Sequence, residues 1–154
     1  MLIILIIKNA YSEEIKKIEI NGNNRISDET ILVFSNIKLN NEINSSSDLN
    51  KILKDLYNTN YFSDVDIDFN NNKLVINVVE NPIIQSVQLN GIKAKKFKEI
   101  ILDNLILKEK TSYVENFVSM DINKIKSIMK RSGYYFVNVD LNVIDAKNSS
   151  VILS

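Results

Sequence analysis

The sequence predicts an α+β protein made of two tandem β-α-α-β-β modules, each a three-stranded sheet with two helices on one face. Three observations support this. An alternating apolar/polar stretch that ends on Asn-Gly occurs twice, as residues 18–22 (IEING) and 87–91 (VQLNG). Two segments with helical spacing of apolar residues follow each copy. Aromatic residues and a strictly alternating strand then come after each pair of helices.

The first copy carries start signals for two helices. Ser27 is suited to cap a helix whose first turn holds Asp28 and Glu29, because the positive end of the helix dipole favours acidic residues. Ser47 is a candidate N-cap for the second helix. The i, i+3, i+4, i+7 spacing of apolar residues in that helix predicts one buried face, formed by Leu49, Ile52, Leu53 and Leu56.

The second copy repeats this plan with different residues. Apolar residues at helical spacing predict helices over residues 97–105 and 118–129. Gly133 follows the second of these, and glycine readily adopts the left-handed conformation that ends a helix. We therefore expect that helix to end at Gly133.

Each second helix leads into an aromatic corner and an alternating strand, over residues 60–69 and 133–143. In the first copy, residues 70–72 (NNN) predict a turn and residues 74–78 the returning strand of a hairpin. In the second copy, residues 145–149 predict the turn, and the sequence stops inside the returning strand. The expected organisation is module 1 over residues 13–81 and module 2, truncated in its last strand, over residues 82–154. We interpret the corner aromatics as core packing rather than a stacking platform: Tyr61, Phe62, Tyr134 and Tyr135.

The composition argues against most enzyme chemistry. The 154 residues include no cysteine and no histidine, so the commonest nucleophile, general base and metal ligands are missing. Three glycines and one proline leave little for a phosphate-binding loop. Carboxylates and lysines keep an enzyme formally possible, but no pair is placed by a pattern. The 19 basic and 19 acidic residues cancel, which argues against a nucleic-acid partner. No cofactor is predicted.

The N-terminus differs from the rest of the chain. Residues 2–7 are all apolar, and Ala10 and Ser12 suit the small-residue positions before a signal-peptidase cut. We interpret residues 1–12 as the remnant of a signal peptide. A first strand or a misassigned start codon is the alternative. The run is too short to span a membrane, which takes about 20 apolar residues.

Three motifs resemble one known family. Residues 20–26 (INGNNRI) resemble its GNxRI opening, residues 56–65 (LYNTNYFSDV) its LYxTGYFxDV corner, and residues 78–84 (VVENPII) its VxENPxI junction. These are motifs of the polypeptide-transport-associated (POTRA) domains of BamA-type outer-membrane assembly factors, specifically the first two. Asn60 replaces the usual glycine, and asparagine tolerates a left-handed conformation. The opening of the second copy, residues 91–93 (GIK), is less typical.

The resemblance implies a non-enzymatic scaffold in the periplasm, attached to the outer membrane in the full-length protein through a β-barrel that this chain lacks. It implies unfolded outer-membrane proteins, periplasmic chaperones and assembly-complex lipoproteins as partners. An alternative within the same domain class is an interaction module of a two-partner-secretion or cell-division protein, which binds one dedicated partner. An RNA-binding module ranks last, because the aromatic strands and positive charge of such modules are missing.

In this family the second strand lies at the sheet edge, where an extended peptide can add by β-augmentation. The resemblance therefore suggests edge strands as peptide-binding sites in both copies. A calcium loop starting at Asp64 would need glycine and glutamate where Phe69 and Val75 stand, so we interpret the alternating aspartates as a solvent-facing strand surface. The candidate binding residues are Ser63, Asp64, Val65, Asp66, Ile67 and Asp68 in the first copy, and Val137, Val139 and Leu141 in the second.

Two further features are charged or conformationally restricted. The junction of Glu80, Asn81, Pro82 and Ile83 should be short and semi-rigid, because proline fixes its own φ and biases the preceding residue toward extended geometry. A basic cluster starts the third helix, which we interpret as a solvated face, with lipid headgroups or an acidic partner as the alternative. The cluster consists of Lys93, Lys95, Lys96 and Lys98.

Overall fold

The computed structural model of the chain describes residues 13–146 and 150–154. The predicted signal segment, residues 1–12, lies outside the described residues. The chain divides between Glu80 and Asn81 into two compact units, module 1 and module 2. No helix in the described part of the chain is long and apolar enough to cross a membrane.

Module 1 has the predicted β-α-α-β-β plan with one small addition. Three strands form its main sheet. The central strand is β5 (Lys73–Glu80), with β2 (Lys17–Asn21) parallel to it on one side and β4 (Phe62–Asn70) antiparallel to it on the other. Strands β1 and β3 form a separate antiparallel pair that the sequence did not predict. The elements are β1 (Glu13–Glu14), β2 (Lys17–Asn21), α1 (Asp28–Ser35), β3 (Glu42–Ile43), α2 (Ser46–Tyr57), β4 (Phe62–Asn70) and β5 (Lys73–Glu80).

The start of α1 is as predicted, and the start of α2 differs. The Ser27 hydroxyl accepts a hydrogen bond from the Thr30 N–H, and α1 begins at the next residue, Asp28. Ser47 lies inside α2, so its prediction as N-cap was wrong. The reason is that the Asp48 carboxylate reaches back to accept the N–H groups of Asn44 (2.9 Å) and Ser45 (3.2 Å), which fixes the helix start earlier.

The turn between β4 and β5 confirms the prediction for residues 70–72. Asn71 and Asn72 have φ values of 51° and 62°, which are the two consecutive left-handed residues of a tight hairpin turn. Asn60 is also left-handed, with φ of 60°, as expected for an asparagine in place of glycine. Asparagine thus provides left-handed backbone at each of these positions.

The core of module 1 is a single cluster centred on β5. Leu74 and Ile76 are fully buried and Val78 nearly so, because alternate residues of β5 face the helices. The helices contribute Ile31 and Leu56, which are also fully buried. The cluster comprises Ile15, Ile31, Ile37, Ile52, Leu56, Phe62, Val65, Leu74, Ile76 and Val78.

Module 2 repeats the topology. The central strand of its sheet is β8 (Ser150–Leu153). Strand β6 (Ile83–Val87) is parallel to it, and β7 (Val143–Ala146) is antiparallel to it. The buried carboxylate of Asp121 holds the segment after the first helix by accepting the N–H groups of Ile106 and Leu107, both at 2.8 Å. The elements are β6 (Ile83–Val87), α3 (Lys95–Asn104), α4 (Asn116–Arg131), β7 (Val143–Ala146) and β8 (Ser150–Leu153).

The strand predicted over residues 137–143 was wrong in its position. The structure has a strand only at β7, so Val137, Val139 and Leu141 lie outside any strand. Val143 pairs with Leu153 and Asn142 exchanges hydrogen bonds with Ser154, whereas residues 137–141 have no strand partner among the described residues.

Of the four corner aromatics predicted to pack in the core, only Phe62 is buried, and Tyr61 is 41% exposed. Phe62 is 3% exposed, and Tyr61 stacks on Phe34 with ring centroids 5.5 Å apart. In module 2, Tyr134 stacks on Phe97 of α3, but Tyr135 is 68% and Phe136 102% exposed. Core packing was therefore the wrong prediction for Tyr134 and Tyr135, since Tyr134 is itself 57% exposed. The corner cannot close there because the residues that follow it are not paired into the sheet.

Gly22 follows β2 with φ of 87°, and a Cβ atom there would overlap the carbonyl oxygen of Val78. We predict that Gly22→Ala lowers the free energy of unfolding of module 1 by about 3 kcal/mol, because both the overlap and the positive φ must be relieved. Gly91→Ala is the matched control. Gly91 has φ of 81° but nothing within 4 Å of such an atom, so about 1 kcal/mol is expected.

Hydrogen exchange of the core amides of each module measures these effects, because it reports each unit's own opening free energy. Equal losses for the two alanine variants would contradict the close contact between Gly22 and β5.

Candidate functional site

The predicted binding strand of module 1 is an edge strand. β4 pairs with β5 on one side, and no strand among the described residues pairs with its other side. Its side chains alternate as predicted: Asp66 and Asp68 are exposed, whereas Val65 is buried and Ile67 packs against the core. One side of its backbone is therefore open to a partner.

The face of the sheet that points away from the helices is a polar surface. The amide of Asn21 donates to the amide oxygen of Asn77 at 3.0 Å, and Asn77 donates to the Asp66 carboxylate at 3.2 Å. This row crosses all three strands. Beside it, Lys73 contacts Glu19 at 2.8 Å, and this hydrogen bond and positive charge lower the pKa of Glu19.

A tyrosine closes the first part of the open edge. The N–H of Val65 donates to the Tyr57 hydroxyl oxygen at 3.1 Å, and it also contacts the Asp64 carboxylate at 3.0 Å. The same hydroxyl donates to Asp64 at 3.1 Å. The N–H of Val65 thus points away from β5, and it already has hydrogen-bond acceptors within module 1.

The open part of the edge follows from strand geometry. Alternate residues of an antiparallel strand direct their N–H and C=O groups to the same side. Because Val65 faces the edge, Ile67 and Phe69 face it as well. Ser63 lies at a bulge in the β4–β5 register and donates its hydroxyl to the Val79 carbonyl at 3.2 Å. Of the six candidates in β4, Ile67 is therefore the one whose own backbone faces the open edge.

The second set of candidates belongs to module 2. Val137 and Val139 line a cavity between residues 88–92 and the segment before β7, and Leu141 lines a smaller one next to it. They do not form the strand edge that the sequence predicted.

Glu80, the first residue of the predicted junction, organises the opposite end of module 1. Its side chain is 5% exposed. One carboxylate oxygen, Oε1, accepts three backbone N–H groups, from Asn24 at 2.8 Å, Arg25 at 2.9 Å and Ile26 at 3.0 Å. The other oxygen accepts the Arg25 Nε–H at 2.8 Å. Glu80 therefore ties the end of β5 to the loop that follows β2.

These donors decide the charge of Glu80. Burial disfavours the ionised carboxylate, but the three N–H groups and the Arg25 guanidinium outweigh burial, so the pKa of Glu80 lies below its ordinary value. The sequence placed Glu80 in a junction motif without indicating this contact. The signal in the sequence was an acidic residue, Glu80, at the end of an apolar strand, together with Arg25 in the opening motif of residues 20–26.

The other junction residues lie in module 2. The Pro82 carbonyl accepts the Tyr113 N–H at 2.8 Å, Asn81 is buried, and Ile83 begins β6. The semi-rigid linker remains a prediction.

The basic cluster is at the start of α3. Lys93, Lys95 and Lys96 are exposed there and Lys98 is partly buried, an arrangement consistent with a solvated helix face. An acidic partner or lipid headgroups at this surface remain a hypothesis.

Comparison with known proteins identifies the family. A family model for POTRA, described as a surface antigen variable number repeat, matches residues 13–81 and again residues 82–154. The chain therefore belongs to the POTRA family and consists of two tandem POTRA modules, as the motifs predicted.

A curated relative is the outer membrane protein assembly factor BamA of Neorickettsia risticii (strain Illinois). It is 26% identical over an alignment of 146 residues, and the match covers 89% of this chain and 19% of that protein. The chain thus spans about a fifth of this relative's length.

Solved structures show the same fold. The N-terminal domain of Omp85 from the thermophilic cyanobacterium Thermosynechococcus elongatus matches with a TM-score of 0.57 and 15% identity, over 93% of this chain and 62% of that one. POTRA1-2 of the periplasmic domain of Omp85 from Anabaena matches with a TM-score of 0.53 and 13% identity, over 94% of each chain.

We predict that Glu80→Gln lowers the free energy of unfolding of module 1 by about 2 kcal/mol at pH 7, because the N–H groups lose a charged acceptor. The ionised Glu80 stabilises the fold fully above its ordinary pKa of 4.5, and this contribution is lost as the pH falls through the lower folded-state pKa. The difference in the free energy of unfolding between wild type and Glu80→Gln should therefore become smaller below pH 4.5.

Denaturation followed at a series of pH values tests this. Asp68→Asn removes an exposed carboxylate from the same sheet and serves as the control, with an expected change below about 0.5 kcal/mol. A gap that stays constant down to pH 2 would contradict the role of the Glu80 charge.

We predict that Tyr57→Phe weakens the protection of the Val65 N–H, because the hydroxyl is removed and only the Asp64 carboxylate remains as an acceptor. Hydrogen exchange at Val65 should become about tenfold faster, while Ile76 in the central strand keeps its protection. Tyr61→Phe, a second partly exposed tyrosine, is the matched control and should leave Val65 unchanged. Unchanged exchange in Tyr57→Phe would mean that Asp64 alone protects this amide.

Proposed function

We propose that the chain is a non-enzymatic polypeptide-binding scaffold of outer-membrane protein assembly, located in the periplasm. The observation that carries this proposal is the open edge of β4 in a POTRA module. Membership of the family and the similarity to a BamA assembly factor support the assembly role. Unfolded outer-membrane proteins are the proposed ligands, and chaperones and assembly lipoproteins the proposed further partners.

The proposed mode of binding is β-augmentation at residues 67–70. An extended peptide would pair with the N–H and C=O groups of Ile67 and Phe69, which gives affinity that depends little on sequence. Tyr57 sets the limit of this pairing, because it already occupies the N–H of Val65. The peptide would therefore enter from the β4–β5 turn rather than from the aromatic corner.

The acidic surface beside this edge selects among partners. A peptide on β4 would place its outward-facing side chains next to Asp66 and Asp68, where cross-strand pairing favours Lys or Arg. A second copy of β4 would place aspartates opposite aspartates, which is unfavourable. The charges thus oppose self-association of the edge while leaving it open to neutral or basic peptides.

Ile67→Pro tests this mode, because it removes an N–H that faces the open edge and not one that pairs with β5. The control Ile67→Ala removes the same side chain and keeps the N–H. The probe is an isotope-labelled NMR titration with an outer-membrane β-strand peptide of about ten residues. Wild type and Ile67→Ala should show protection of the Phe69 amide, and Ile67→Pro should not.

Peptide protection of Phe69 in a folded Ile67→Pro variant would refute augmentation at this edge. Parallel titrations with several unrelated strand peptides test whether the edge binds peptides of many sequences. Similar affinities support a general scaffold, whereas binding of none of them would favour a single dedicated partner.

A further inference from the structure

The two helices of module 2 carry an unbalanced positive charge. Helices α3 and α4 contain seven cationic and three acidic residues, whereas α1 and α2, their equivalents in module 1, contain two cationic and four acidic ones. One of the three acids, Asp121, is buried, and its carboxylate already accepts the N–H groups of Ile106 and Leu107. The seven cations, which we call the basic helix surface, are Lys95, Lys96, Lys98, Lys124, Lys126, Lys130 and Arg131.

These cations are accessible and have no acidic partner in the described part of the chain. Six of them are exposed, and Lys98 is partly buried. The ion pairs within residues 13–146 and 150–154 all belong to module 1. The helices pack against each other through a buried cluster that includes Ile101 and Ile125, and the charged side chains lie outside this cluster. The basic helix surface is therefore free to meet an anionic partner.

The placement of most of these cations is unfavourable for the helices themselves. Lys95 and Lys96 lie in the first turn of α3, where the positive end of the helix dipole disfavours cations, whereas α1 begins with two acidic residues. Lys126 and Lys130 are four positions apart on α4, and like charges at this spacing weaken a helix. The dipole favours only Lys130 and Arg131, which lie in the last turn of α4. Helix stability thus does not account for the charge, and an external anion would offset the repulsion.

The other side chains on these helices favour a lipid bilayer over an acidic protein as the anion. Met120 of α4 is 54% exposed and Ile100 of α3 is 45% exposed, so apolar side chains stand among the cations. The boundary of a bilayer accepts both kinds of group, because phosphates attract the cations and the acyl layer takes up the apolar side chains. Six of the seven cations are lysines, which act as flexible point charges, whereas arginine is the residue suited to the fixed bidentate pairing of a protein carboxylate.

We propose that the basic helix surface of module 2 docks on a lipid bilayer that contains anionic phospholipids. The ammonium groups would contact headgroup phosphates, and Met120 and Ile100 would lie at the boundary between headgroups and acyl chains. The contact is peripheral and reversible. The proposal rests on the proposed function for one point only, a location beside the outer membrane, and it does not involve the peptide-binding edge of β4.

Sedimentation of the full chain with lipid vesicles tests this docking. One set of vesicles is phosphatidylcholine alone, and the other is phosphatidylcholine mixed with an equal amount of phosphatidylglycerol. The chain should bind the mixed vesicles at least about tenfold more tightly than the neutral ones. Raising the NaCl concentration should reduce the binding, because salt screens exposed charges. Equal binding to both sets of vesicles would overturn the proposal.

A triple variant, Lys124→Gln with Lys126→Gln and Lys130→Gln, locates the contact on α4. Its affinity for the mixed vesicles should fall about a hundredfold, because each lysine near an anionic surface contributes about fivefold. Glutamine and lysine have similar helix propensities, so the variant should remain folded, which circular dichroism checks.

The matched control makes the same change in net charge on module 1. It carries glutamine at three exposed lysines, Lys38, Lys51 and Lys54. Its affinity for the mixed vesicles should stay within about twofold of wild type, because these lysines lie outside the basic helix surface. An equal loss in both triple variants would overturn the proposal, since net charge alone would then explain the binding.

Two further measurements separate this surface from other partners and from the edge of β4. Binding of a polyglutamate peptide through the three lysines of α4, without binding to the mixed vesicles, would overturn the proposal and identify an acidic polypeptide as the partner. Peptide protection of the Phe69 amide should persist in the α4 triple variant, because the edge of β4 lies in module 1. Loss of vesicle binding with Phe69 still protected would therefore leave the proposed function intact.

Discussion

Module 1 depends on the contact between the Glu80 carboxylate and three successive backbone N–H groups. Glu80 is the last residue of the central strand β5, and the loop that it binds connects the edge strand β2 to α1. One buried charge therefore fixes the end of β5, the exit of β2 and the approach to Ser27, the cap of α1. Such a charge is stable only when its donors are complete, which makes this corner sensitive to the loss of any one of them.

The two modules show what the central strand does for this fold. In module 1, β5 pairs on both sides, supplies three buried residues and joins the core into one cluster. In module 2 the corresponding strand is half as long, four residues against eight, and the core is divided. The same topology therefore accompanies a continuous core in module 1 and, among the described residues, a divided core in module 2.

Local signals in the sequence predicted local structure well. Ser27 acts through its side chain on the helix that follows it, and Asn60, Asn71 and Asn72 act through their own backbone, so these local roles were visible in the sequence. Ser47 was misjudged because the side chain of Asp48 reaches back past it. Residues 137–141 have a correct strand pattern, but a strand also needs a partner, and pattern alone does not supply one. Glu80 and Tyr57 act across 54 to 56 and 8 residues respectively, and no periodicity records such contacts.

The parallel pairing of β2 with β5 has a consequence for the order in which module 1 forms. Residue pairs such as Lys17 and Lys73 are 56 positions apart, since 73 − 17 = 56, and the central strand is the last element of module 1 to be synthesised. Until β5 is available, β2 and β4 lack their pairing partner, so the main sheet of module 1 cannot form. Closure of the main sheet is thus a late, non-local step, which is slow by nature and leaves the apolar faces of the chain exposed until it is complete.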